Sequence, residues 1–343
     1  MTNTQATTPE SIRQQAQAFW QAWDKQAAQL STLSSVERVE AGNELLHQYI
    51  EGVFLEIQED EPRDLLIFSA NGMLDQFIAI DILLQTATTR DYDLIAFRQP
   101  IPAEYINEFV MRMDDDIELL ATDLLISASA TDQLIDLDVT LQKQADEEQL
   151  PHLQNMAFIM LDHILGEWDL AVKIRSVEFA DTPAENAVRA DQLPELINDL
   201  WENTLNHDGE YPQAEESEWA AAESEESAEQ DALVLIRNES AASLLGRPDM
   251  AWCIIIDSEL TCKEDLDTAQ DLEEHFYNQI SKDQHGIGVL SIVNFTQGIR
   301  SIHAYCRNPK HGIAAALSAM DAFPQLDSSA RSDYDPAWQW YQF

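Results

Sequence analysis

The stretch "LIDLDVTL", Leu134 to Leu141, sets Ile135, Leu137, Val139 and Leu141 alternately with Asp136, Asp138 and Thr140. A period of two puts one row into a core and the other into water, which reads as a strand of a half-covered antiparallel sheet. It pairs as a hairpin with "IELLATDLLISA" across a turn at Thr131–Gln133. A sheet covered on one side needs helices, and the flanking sequence provides them. Downstream, "LPHLQNMAFIMLDHIL" reads as a helix, "WDLAVKIRSVEFA" as a strand and "ADQLPELINDLWENTL" as a helix.

Upstream, "TPESIRQQAQAFWQAWDKQAAQL" offers Thr8 as N-cap, Pro9 at the first helical position, and Phe19 and Trp23 four apart on one face. A second helix carries Val39, Leu45 and Ile50 and runs into a strand around Val53–Ile57. "DLLIFSA" is a buried strand ended by Asn71-Gly72, "MLDQFIAIDILLQTA" a helix, and "YDLIAFRQP" a strand stopped by Pro100.

Beyond residue 231 the elements start afresh. "ALVLIRN" and "AWCIIIDSE" are strands, and "LDTAQDLEEHFYNQIS" is a helix with Leu272, Phe276 and Ile280 in register. "GIGVLSIVNF" and "GIRSIHAYCR" are strands, and "HGIAAALSAMDAF" is a helix. The fold class is therefore α+β: two domains, each a mainly antiparallel sheet with helices packed on it, the C-terminal one ferredoxin-like. Between them lies His207–Asp231, with ten acids and no Lys or Arg. Its Glu, Ser, Ala and Gln content is that of a self-repelling extended segment. The expected division is 1–206, an acidic flexible linker at 207–231, and 232–343.

The 343 residues carry 63 acids against 19 Lys and Arg, a formal charge of −44, and 53 of those acids lie outside the tract. So acid a surface repels nucleic acid and anionic membranes and attracts basic proteins. Three cysteines without CxxC spacing argue against a disulfide framework. No apolar run is long enough to span a membrane, and the first residues lack a secretion signal's order, so the expected location is cytoplasmic.

Catalytic devices are scarce. Phosphate-loop, dinucleotide, nucleophile-elbow and HExxH patterns are all missing from the sequence. Asp114, Asp115 and Asp116 are consecutive and point in different directions, as in a solvated loop. Asp257, Glu259, Asp265, Asp267 and Asp271 surround a strand-to-helix junction, where the helix dipole already accounts for acids. Cys262 precedes that helix beside Lys263, but the acids around it raise a thiol's pKa. No catalytic residue, metal or cofactor is expected. Arg300 stands on an otherwise nearly uncharged strand and requires a partner, for which Asp333 and Asp335 are the candidates; anion or peptide recognition is the alternative. His303 on the same strand reads as a packed or half-exposed residue and not as a base.

The region from Ala232 to Phe343 resembles the bacterial domain of unknown function 695. The likeness rests on "GIRSIHAYC" with Gly298, Arg300 and Tyr305, on "LIRNESAA", and on "YDPAW", Tyr334 to Trp338. "LLIFSANG", "YDLIAFRQP" and "ILGEWDL" also look like a pattern recurrent in uncharacterised bacterial proteins. The family implies no reaction. Arg300, His303, Tyr305, Asp335 and Trp338 are accordingly the candidate binding residues. The expected function is a non-enzymatic interaction protein, of immunity or regulatory type, that meets a basic protein partner. The alternative is a hydrolase-like enzyme, or a small-molecule or peptide-binding module, with its site between the domains or around Arg300.

Overall fold

The computed structural model describes residues 8–59, 62–89, 91–113, 117–143, 146, 148–212, 218–224, 233–295 and 297–342. Thr8 caps α1 (Pro9–Leu30): its hydroxyl accepts the Ser11 N–H at 3.2 Å, and its own N–H donates to Ser11 Oγ at 2.9 Å. The helix buries Phe19, Trp20 and Trp23 completely, and Trp20 Nε1 donates to the Leu83 carbonyl at 2.8 Å. After α2 (Ser35–Leu46), the strands β1 (Phe54–Gln58) and β2 (Leu65–Ser69) pair antiparallel. α3 (Phe77–Thr86) then carries the chain back to β3 (Asp93–Ala96), which therefore lies parallel to β2. The parallel pair departs from a purely antiparallel reading, and the helical crossover is its cause.

A short α4 (Ala103–Ile106) leads to the hairpin of β4 (Val110–Met113) and β5 (Ile117–Leu120). "IELLATDLLISA" is thus two strands and not one. A 3₁₀ turn at Ala121–Asp123, where the Asp123 carboxylate accepts the Leu120 N–H at 3.0 Å, separates β5 from β6 (Leu124–Thr131). β6 and β7 (Leu134–Leu141) are neighbours across Asp132 and Gln133, whose φ values of 48° and 70° give the twist that suits a two-residue hairpin. α5 (Leu150–Leu165) matches its expected extent. "WDLAVKIRSVEFA", expected as one strand, begins as α6 (Glu167–Lys173) and only then becomes β8 (Ile174–Phe179), parallel to β7. β9 (Val188–Arg189) completes the order β8-β7-β6-β9, and α7 (Leu193–Asp199) ends in a π-helical turn.

The second sheet system runs β10 (Trp219–Ser224), β11 (Leu233–Asn238), β12 (Trp252–Glu259), α8 (Lys263–Ile280), β13 (Gly286–Asn294), β14 (Ile299–Cys306), α9 (Pro309–Ala322) and β15 (Ser328–Tyr334). Its strand order is β10-β11-β13-β14-β12-β15, antiparallel throughout. From β12 to β15 this is the β-α-β-β-α-β ferredoxin-like arrangement, widened by β11 and β10. α8 and α9 cover one face over Ile254, Ile256, Ile302, Ala304, Leu272 and Phe276. Gly288 is required there, because a Cβ would lie 2.5 Å from the Tyr277 ring.

Two strands were not legible as such. Ser328–Tyr334, where no strand was expected, is an edge strand, and Trp219–Ser224, inside the expected linker, is the opposite edge. The rest of that tract's acidic core, 213–217 and 225–231, lies outside the described residues. Two compact units result: 1–129 with 135–198, and 130–134 with 199–343, so the break falls before residue 206.

Candidate functional site

β14 distributes the candidate residues by alternation. Arg300 shares a face with Ile302, Ala304 and Cys306, so it meets α8. Its Nε donates to Glu273 at 3.0 Å, and the same carboxylate accepts Ser291 Oγ at 3.0 Å. Arg300 is buried. The partner expected for it, Asp333 or Asp335, is replaced by Glu273, because the helix and not the chain's ending covers that face. Asp333 lies 3.7 Å from Arg331 instead.

His303 and Tyr305 point to the other face, where the segment after β15 folds over the sheet. The Tyr305 ring stacks on Trp338 with centroids 4.0 Å apart and planes within 3°, and its hydroxyl donates to Asp335. Asp335 also accepts the Trp340 N–H at 3.2 Å, and Trp338 Nε1 donates to the Met250 carbonyl at 2.8 Å. Tyr341 OH donates to the Asn238 carbonyl at 3.0 Å. His303 lies against Trp340 with centroids 5.0 Å apart, and its Nδ1 has no hydrogen-bond partner among the described residues. Burial pushes the His303 imidazole down to about 4 and the Tyr305 phenol well above its ordinary value. Four of the five candidates therefore come together, but all are buried and spent on holding the C-terminal segment to the sheet.

A second cluster was missed. It joins "LLIFSANG", "YDLIAFRQP" and "ILGEWDL". Glu167, fully buried at the start of α6, accepts the Ala70 N–H at 2.7 Å, the Gly72 N–H at 3.1 Å and the Arg98 N–H at 3.1 Å. Its own N–H returns to the Arg98 carbonyl at 2.9 Å. The Arg98 guanidinium donates to Glu56 at 3.0 Å, to Asp162, and to Ser69 and Asn71 at 3.3 Å each. Gly166, at φ 81°, permits the turn between α5 and α6; a Cβ there would meet Pro100 at 2.9 Å. Burial, then Arg98, lowers the pKa of neighbouring His163. The cluster ties three chain reversals together. The available signal was an arginine two residues before a proline and a Gly-Glu pair after a helix, each ordinary alone.

The other candidates stay apart. Cys262 is the exposed N-cap of α8. Its backbone bond to Asp265 acts downward on the thiol, but side-chain bonds to Asp265 and Glu264 outweigh it and raise the pKa. His303 faces away from α8, so it cannot serve Cys262 as a base, and His275 is engaged with Gln279 at 2.7 Å. Asp114–Asp116 lie outside the described residues. Among the described residues no group of three or more His, Cys, Asp or Glu is disposed to hold a metal ion, and no helix is long and apolar enough to cross a membrane. A cavity of about 660 Å³ in the first unit is lined by His47, Tyr49, Glu51, Asp75 and Gln76, mostly exposed side chains. A smaller one of about 320 Å³ lies beside Cys262, Leu266 and Phe295.

No protein-family model, curated relative or solved structure matches the chain. Its function has to be read from surface and geometry. At the surface, every residue from Glu218 to Glu223 is exposed, along the outermost strand of the second sheet.

Proposed function

We propose that the chain is a non-catalytic interaction protein whose partner is a basic protein. The observation that carries this reading is the charge of −44, with 53 of the 63 acids outside the 207–231 tract. Such a field accelerates encounter with a cationic partner and disfavours nucleic acid. The candidate side chains Arg300, His303, Tyr305, Asp335 and Trp338 are committed to internal contacts. A cytoplasmic setting agrees with three free cysteines. The likeness of the C-terminal third to the domain of unknown function 695 belongs to the same reading and brings no reaction with it.

The test is affinity purification at low salt, followed by association kinetics with each protein recovered. A true partner binds stoichiometrically, and its on-rate falls as the Debye length shortens from about 30 Å at 0.01 M to about 8 Å at 0.15 M salt. Recovery of no basic partner at any salt overturns the proposal. A small-molecule module is the second reading, favoured by the 660 Å³ cavity at His47 and Asp75. Saturable binding of a small cation that is lost in Asp75→Ala would move it to first place.

A further inference from the structure

The two edges of the six-stranded sheet differ. β15 carries Arg331, paired to Asp257, and its register is fixed against β12 by seven residue pairs. β10 is "WAAAES": three consecutive alanines, no proline and no basic residue. Charged, proline-bearing or covered edges are the usual protection against strand addition, and the only charge on β10 itself is acidic; the base opposite Ala220 on β11, Arg237, is paired to Glu239. Glu218 and Glu223 bracket the alanines, within a tract that holds ten acids and no Lys or Arg.

The backbone directions can be assigned. The Glu239 N–H donates to the Glu218 carbonyl at 2.9 Å, so Glu218 directs its backbone groups toward β11. Antiparallel pairing alternates, which directs those of Ala220 and Ala222 inward and those of Trp219, Ala221 and Glu223 outward. The outer edge pairs with no strand among the described residues. Trp219 stacks on Tyr277 of α8 at 5.8 Å, which holds the strand's first residue to the sheet. Alanine methyls leave room beside the edge for a long side chain to lie across it and reach the acids.

We infer that the outer edge of β10 receives an extended basic segment as a seventh strand, its main chain pairing with Trp219, Ala221 and Glu223 and its Lys or Arg side chains meeting the acids around them. This rests on the basic-partner reading and names the element that does the binding. Main-chain pairing gives such additions their affinity, and side-chain complementarity their choice of partner. Charge also decides against the other obvious occupant, β10 of a second copy. Two acid-flanked edges, each on a chain of formal charge −44, repel where a basic strand is attracted.

The experiment uses the full chain and the peptide KVKVKVK at low salt, with hydrogen exchange and binding isotherms as readouts. Expected are saturable binding and slower exchange at Trp219, Ala221 and Glu223. The same peptide N-methylated at alternate residues keeps its charge but loses its ladder donors, and should bind at least about tenfold more weakly. Ala221→Pro removes one outward N–H without touching the β11 ladder and should weaken binding similarly. If both peptides bind alike and Ala221→Pro changes nothing, the edge inference falls while the basic-partner reading stands. If no basic peptide binds even at 0.01 M salt, both fall. If sedimentation shows a dimer that Ala221→Pro dissociates, the edge belongs to a second copy and the inference is overturned.

Discussion

Arg300, buried, and Arg98, half-buried, lie one in each unit and are held in opposite ways. Arg300 projects from the middle of β14 to one carboxylate, Glu273, on the helix packed over that strand. Arg98 stands just past β3 and reaches Glu56, Asp162, Ser69 and Asn71, while its own N–H and carbonyl are gripped by Glu167. The first arrangement replaces an apolar contact between two regular elements. The second replaces the hydrogen bonds that three chain reversals would otherwise lack, and nothing apolar can do that. One ion pair is an alternative to core packing; the other is a condition of the chain path.

That difference can be broken most severely at Glu167. Its carboxylate accepts three backbone N–H groups, and in Glu167→Gln the amide NH₂ must face one of those donors. We expect a loss of about 3–5 kcal/mol, from three weakened charge-assisted hydrogen bonds and one buried N–H left without an acceptor. Urea unfolding with hydrogen exchange should show the loss at Ala70–Gly72, Arg98 and the start of α6. A stability unchanged within about 0.5 kcal/mol would show that the Glu167 cluster is not what holds these reversals.

Arg300 sharpens the contrast. Glu273→Leu alone leaves a buried guanidinium unpaired and should cost about 3–5 kcal/mol, but the double change Arg300→Met with Glu273→Leu should recover most of it. The corresponding apolar pair Arg98→Met with Glu56→Leu should recover little, since Ser69, Asn71 and Asp162 lose their donor as well. Equal recovery in the two units would dissolve the distinction.

The same contrast explains what could be read from the sequence. α5, the β6–β7 turn and the ferredoxin-like core were legible because their apolar periods are local and agree with their turn and cap residues. Arg300's need for a partner was legible too, since a lone charge on an apolar strand is visible locally. The identity of the partner was not, because Asp335 and Glu273 are equally acidic and only the packing of α8 chooses between them. β15 and β10 carry no apolar alternation, as edge strands lean on backbone pairing, so composition concealed both. Glu167 was hidden for the same reason in stronger form: its three acceptor contacts span residues 70 to 98, and none has a periodic signature.

On the other side of β14, pH provides a further test. Burial holds His303 near 4 in the folded chain, against about 6.5 when unfolded. The unfolded state binds the extra proton between these values, so this contribution is complete above about pH 6.5 and is lost as pH falls toward 4, roughly 3 kcal/mol at most. His163 and His207 are shifted in the same direction. His303→Leu removes the titration, so the stability difference between the parent and this variant should move in the variant's favour as pH drops from 7 to 4. A difference that is flat with pH would mean that His303 is not buried in its neutral form.

The smallest expected effect is at Tyr305. Tyr305→Phe keeps the ring stacked on Trp338 but removes the donor to Asp335, which then retains the Trp340 N–H. Losing one hydrogen bond to a buried charged group should cost about 1.5–3 kcal/mol, less than a severed ion pair. Pairing the change with Asp335→Asn separates the bond from the packing, because an amide left short of a donor costs less to bury than a carboxylate. If the hydroxyl matters through Asp335, the double variant is more stable than the two single losses summed, with a coupling of about 1 kcal/mol or more. Strict additivity would instead assign the role of Tyr305 to its stacked ring. The C-terminal segment would then be held to the sheet by ring packing and the Trp338 and Tyr341 hydrogen bonds, in contrast to the ion-paired face beneath α8.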